Sequence, residues 1–91
     1  MLEITHQELP VEAHQTLKEI DKDGPFPYAK DDSVFHNREG KLPLKELNYY
    51  REYTVKTPNA SDRGAKRIII GKDGKKYFTD DHYQNFKEIK A

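Results

Sequence analysis

The segment "YYREYTV" (49–55) holds three tyrosines, a threonine and a valine, the composition of a half-buried β-strand, with Arg51 and Glu52 at its centre. A carboxylate among strand aromatics costs free energy to desolvate unless a cation answers it. Two arginines, Arg63 and Arg67, follow in "RGAKR" (63–67), and His82 lies in "TDDHYQNF" (79–86). One carboxylate, one imidazole and two guanidinium groups suffice to cleave RNA without a metal. A general base takes the proton of a ribose 2′-hydroxyl, which attacks the adjacent phosphorus, and a general acid protonates the departing 5′-oxygen. Arginine forks stabilise the charge that grows on the phosphoryl oxygens. Glu52 fits the base, His82 the acid, and Arg63 and Arg67 the anion clamp. Such a pair gives a bell-shaped pH profile. DNA, which lacks the 2′-hydroxyl, would bind uncut.

The same residues have plainer readings. A glutamate beside an arginine on paired strands is most simply a cross-strand ion pair, Glu52 with Arg67, and a lone loop histidine is usually incidental. What favours chemistry is that all four occur together. A silent RNA-binding or protein-interaction module on the same scaffold has no need of the whole set.

Base choice has a candidate in "FHNRE" (35–39). Guanine presents two parallel donors that match the carboxylate of Glu39, and acceptors that suit backbone N–H groups of His36, Asn37 and Arg38. Phe35, Arg38 or Tyr83 offer stacking planes. Taken alone, any Asn-Arg-Glu turn would look similar.

Elements that position these groups are readable from pattern. "LPVEAHQTLKEIDKDG" (9–24) has a proline at the first turn, apolar Ala13, Leu17 and Ile20, and Gly24 as a stop. That predicts an amphipathic helix, with His14 on its surface. The proline-rich stretch 24–33 reads as an ordered loop covering core. Strands are expected from 34, at 49–57, 66–71 and 75–79, and at 85–89, with "GKDGK" (71–75) as a hairpin turn. Period-two alternation puts Tyr50, Glu52, Thr54 and Lys56 on one face, and Tyr49, Arg51, Tyr53 and Val55 on the face toward the helix. On the next strand Ile68 and Ile70 point one way, Arg67 and Ile69 the other. The fold class is therefore α+β, one N-terminal helix on a small twisted antiparallel sheet, with residues 1–5 and 90–91 loosely held.

Composition sets the bounds. Ninety-one residues make one domain, 1–91. With 35% charged residues and a mean hydropathy of −1.06, the core must be small. No cysteine is present, so disulfides and thiolate metal sites are out. Ile68–Ile70 is the longest aliphatic run, too short for a membrane span. Neither HExxH, closely spaced histidines nor a calcium loop occurs, so no metal and no cofactor are expected, and neither a glycine-rich phosphate loop nor a serine elbow is present. Zero net charge hides an asymmetry: residues 1–48 carry 6 Lys/Arg against 10 Asp/Glu, and 49–91 carry 10 against 6. A basic second half points to an anionic partner, nucleic acid or phosphate first.

"DGPFPY" (23–28), "VFHNREGKLP" (34–43), "YYREYTVKTP" (49–58), "RGAKRIIIG" (63–71) and "DHYQNF" (81–86) together resemble the small bacterial guanyl-specific ribonucleases related to barnase, most closely the ribonuclease Sa type. The likeness runs from about residue 9 to 89. It implies the microbial ribonuclease fold, a helix on an antiparallel sheet. It also implies Glu52 as general base, His82 as general acid, Arg63 and Arg67 on the phosphate, Tyr83 touching it, and the 35–39 loop holding guanine by its backbone and Glu39. Single-stranded RNA would be cut on the 3′ side of guanosine through a 2′,3′-cyclic phosphate, then hydrolysed to the 3′-phosphate. The resemblance further implies a secreted monomer with a barstar-like inhibitor protein as partner; a delivered toxin domain or an engineered version of the fold would share the chemistry. Two departures stand out. Position 36 is His where the family shows Gln or Ser, and the terminal disulfide of the Sa type is missing, which forgoes about 2–4 kcal/mol.

Overall fold

The computed structural model describes all 91 residues. Six strands, β1 (Glu3–Thr5), β2 (Ser33–Phe35), β3 (Tyr50–Thr54), β4 (Arg67–Gly71), β5 (Lys76–Thr79) and β6 (Lys87–Lys90), form one sheet in the order β1-β6-β5-β4-β3-β2. A single turn of 3-10 helix (His6–Glu8) leads into α1 (Val11–Asp21). The α+β class matches expectation, and so does the order of elements from α1 onward. Two expectations need correction. The sheet is mixed rather than antiparallel, because β1 runs parallel to β6, and residues 3–5 are therefore paired, not loose. With Ile4 as the only apolar residue of β1, no alternation marks it as a strand.

α1 starts after Pro10, whose fixed φ suits the helix entrance and whose missing N–H costs nothing there. It ends where the N–H of Gly24 reaches back to the carbonyl of Glu19 at 2.8 Å, with Gly24 at a φ of +97° that side chains resist. The helix is thus shorter than the 9–24 pattern. Its inward stripe, Ala13 and Leu17, packs with Leu9, Val55, Ile68 and Phe78 on one sheet face. Thr16 is buried in the same stripe, and its hydroxyl donates to the carbonyls of Glu12 and Thr54, so the helix is pinned to the end of β3.

Register fixes the other face. Glu52 lies opposite Ser33 and Ile69, Thr54 opposite Arg67, and Arg67 opposite Thr79. A second apolar cluster of Leu42, Tyr50, Ile69, Tyr77 and Phe86 covers this face, with Phe35 and Tyr83 against it. Alternation along β3 and β4 is as the sequence predicts: Val55 and Ile68 go to the helix, Tyr50 and Ile69 away from it. The 24–33 loop is ordered against β3: Phe26 packs on Tyr53 at 5.3 Å between centroids, and the Asp31 carboxylate accepts from the Thr54 N–H at 2.7 Å.

Candidate active site

Glu52 projects from the centre of β3 on the face turned away from α1. Its side chain is 16% exposed, and Tyr83 Oη donates to its Oε1 at 2.8 Å. The same hydroxyl accepts from Arg67 Nε at 3.1 Å, so one phenol separates carboxylate from guanidinium. Burial, and then the neighbouring Glu52 anion, push the Tyr83 hydroxyl pKa up. It remains a donor. The cross-strand ion pair expected between Glu52 and Arg67 is not formed; Arg63 takes that place, with Nη2 at 3.7 Å from Oε1.

Arg67 is 2% exposed, yet no carboxylate lies within 4 Å of it. Besides Tyr83, its guanidinium meets neutral carbonyls only, Nη1 donating to Gly64 and Lys66 at 3.0 and 2.8 Å. A buried cation held by neutral dipoles is an incomplete arrangement that an anion would complete. Arg63 is aimed by Thr54, whose Oγ1 accepts from both Nε and Nη2 at 3.1 and 3.0 Å. Between the arginines, Gly64 sits at a φ of +70°, and a Cβ there would run into the Thr57 hydroxyl. The chain can make this close turn only with glycine.

His82 and Tyr83 are consecutive non-glycine residues in the left-handed region, at φ 57° and 72°. Such backbone is costly and persists where its surroundings over-determine it. Here the surroundings are a net around Asp81. Its carboxylate accepts from Thr79 Oγ1, the Asn85 N–H and Asn85 Nδ2 at 2.8, 3.0 and 2.8 Å. These bonds, Asn85's side chain first, hold the Asp81 carboxyl down to about 2. Thr79 Oγ1 in turn accepts from the Tyr83 N–H, and the His82 N–H donates to Ala65 between the two arginines. The imidazole of His82 is exposed, makes no hydrogen bond, and lies 4.9 Å from the Tyr83 ring.

Next to Glu52 opens a cleft of about 230 Å³ lined by Phe35, His36, Asn37, Arg38, Glu39, Lys41, Glu52, Tyr83 and Phe86. Asn37 closes the 37–42 loop on itself: Oδ1 accepts from the Leu42 N–H, and Nδ2 donates to the Leu42 carbonyl at 3.0 Å. Its side chain is thereby occupied with structure. The N–H groups of Asn37, Arg38 and Glu39 bond to no other backbone group. Phe35 lines the cleft, with its ring against Tyr83 (5.2 Å, 22° between planes) and edge-on to Phe86. The structure thus gathers Glu52, Arg63, Arg67 and Tyr83 in one contact cluster and lines the adjoining cleft with 35–39. His82 joins through its backbone.

Sequence reasoning passed over three contributors. Thr54, two residues after Glu52 and so on its face, was findable by alternation. Asp81 and Lys41 carried no signal; Lys41 Nζ donates to the Gln84 carbonyl at 2.6 Å, tying the 36–41 loop to the His82 loop across 43 residues.

A ribonuclease family model matches residues 2–90. The chain belongs to this ribonuclease family. It is 51% identical over 80 residues to guanyl-specific ribonuclease St of Saccharopolyspora erythraea, covering 88% of this chain and 79% of that protein. To guanyl-specific ribonuclease Sa of Kitasatospora aureofaciens it is 52% identical over 82 residues, 89% of this chain and 85% of the other. The structure of ribonuclease Sa2 in complexes with mononucleotides superposes with a TM-score of 0.97 at 44% identity, over 100% of this chain and 95% of that one. Sa2 is also known with guanosine-2′-cyclophosphate. As a member of this ribonuclease family, the chain sets Glu52 and Arg67 on β3 and β4 and places the 35–39 loop beside them.

Proposed function

We propose that this chain is a guanyl-specific endoribonuclease that cleaves single-stranded RNA 3′ to guanosine without a metal. The observation that carries the reading is the buried Arg67 cation without a counter-ion, set one hydroxyl away from a half-buried carboxylate. A phosphate completes the cation while Glu52 waits beside it. The names of the St and Sa relatives and the Sa2 nucleotide complexes support guanine as the base.

Glu52 takes the 2′-hydroxyl proton as the oxygen attacks phosphorus. Arg63 and Arg67 bind the phosphoryl oxygens, and Tyr83, displaced from the carboxylate, donates to one of them. His82 gives its proton to the 5′-oxygen as the P–O bond breaks, leaving a 2′,3′-cyclic phosphate. In the second step a water loses its proton to His82 and attacks phosphorus, while protonated Glu52 returns a proton to the 2′-oxygen, giving the 3′-phosphate. Guanine is read by the carboxylate of Glu39 and by the backbone N–H groups of His36, Asn37 and Arg38. The same reading includes a secreted monomer and, as a partner, a barstar-like inhibitor protein.

The test is cleavage in EDTA of a short RNA with a single guanosine, beside an all-DNA copy. A cut 3′ of guanosine with a cyclic phosphate end, in RNA only, is expected. Binding without cleavage, or cuts at every base, would overturn the assignment.

A further inference from the structure

Two histidines meet far from the catalytic face. His6 lies in the 3-10 turn after β1, and His14 near the start of α1, which packs on the sheet face opposite the cleft. Nε2 of His6 is 3.3 Å from Nδ1 of His14, with ring centroids 4.3 Å apart and planes at 62°. Neither ring has another hydrogen-bond partner, and the ribonuclease chemistry uses neither. Eight positions separate them in sequence, so no helical spacing betrays the pair.

An imidazole–imidazole hydrogen bond accounts for the contact, but the spacing fits a second use. Zinc binds imidazole nitrogens at about 2.0–2.1 Å in a tetrahedral shell, which places two such nitrogens roughly 3.3–3.4 Å apart. We propose that His6 and His14 form a two-imidazole surface site for a divalent transition-metal ion of the zinc, nickel or copper class. His6 is exposed and His14 half-buried, so water reaches the open coordination positions. No cluster of three or more His, Cys, Asp or Glu ligands forms anywhere in the chain, so this is an open two-donor site rather than a closed structural one. Imidazole donors favour zinc, nickel and copper over magnesium and calcium, which require oxygen ligands. The bound ion would staple the 3-10 turn, and β1 with it, to α1. Because the ion binds the folded arrangement, it raises the unfolding temperature as its free concentration rises above Kd, logarithmically rather than to a plateau.

The experiment is a titration of the full, untagged chain with zinc and separately with nickel at pH 7.5, followed by calorimetry and by NMR of the imidazole nitrogens, with magnesium as control. Saturable binding of one ion, perturbing the His6 and His14 rings, raising the melting temperature and absent with magnesium, is expected. His6→Gln and His14→Gln should each weaken it by at least about tenfold, equivalent to about 1.4 kcal/mol. A double variant, His36→Gln with His82→Gln, should leave it intact. Binding that survives both single substitutions, that follows His36 or His82 instead, or that fails to appear at millimolar metal would overturn the proposal.

Discussion

Replacing Asp81 by Ala probes how the His82 loop is held. Three donors, from Thr79 and Asn85, converge on its carboxylate. Bonds to a charged group contribute about 1.5–3 kcal/mol each when buried, but this carboxylate is partly solvated, and water recovers much of that, leaving about 2 kcal/mol for the net. For a domain of this size that lowers the melting temperature by about 8–16 °C at pH 7. The effect has a pH signature. Asp81 is depressed in the folded state, so its stabilisation is complete above the unfolded value near 4 and is lost as pH falls through about 2. Urea unfolding of parent and Asp81→Ala from pH 6 to pH 2 should show curves well apart at the top of this range and converging at the bottom. Because Asp81 positions His82 without touching substrate, kcat should fall about 10- to 100-fold with KM little changed. A difference in stability that stays constant down to pH 2, or a variant as stable as the parent at pH 7, would refute the reasoning.

Glu52→Gln and His82→Gln should each lower kcat by about 10²–10⁴-fold while RNA still binds, as measured by turnover and by gel shift; retention of activity within a few-fold would remove the acid–base assignment. Arg67→Lys keeps the charge but loses the fork shared among Tyr83, Gly64 and Lys66, and should cost about 10²–10³-fold in kcat/KM on a guanosine dinucleotide substrate. Lys41→Met cuts the tie to Gln84 and should raise KM several-fold for guanosine substrates with a smaller effect on kcat, read from steady-state kinetics.

The face assignment along β3 and β4 was legible because a period of two, anchored by Val55 and Ile68 on one side and Tyr50 and Ile69 on the other, leaves little freedom. Residues 35–39 beside Glu52 were legible through the resemblance as much as through chemistry. What pattern could not supply was three-dimensional closure. β1 is three residues long with one apolar side chain, and its partner lies at the other end of the chain, so nothing local predicts it. The Glu52–Arg63 pairing, in place of Glu52–Arg67, depends on where Tyr83 inserts its hydroxyl, a consequence of two successive left-handed residues. Asp81 and Lys41 act through bonds to loop backbone, which side-chain type alone does not announce.

Four of the five strand pairings join neighbours in the chain, from β2–β3 through β5–β6, whereas β1 meets only β6, with Glu3 beside Glu88. As the polypeptide leaves the ribosome, the β2 to β5 meander that carries Glu52, Arg63 and Arg67 can assemble in order, each strand finding its partner just made. The first strand has to wait for the last. Until residues 87–90 emerge, the outer edge of β5 and the N-terminal segment both stand open. Until β6 pairs, the open edge of β5 is a template for edge-to-edge association, and that edge is what a chaperone would have to cover.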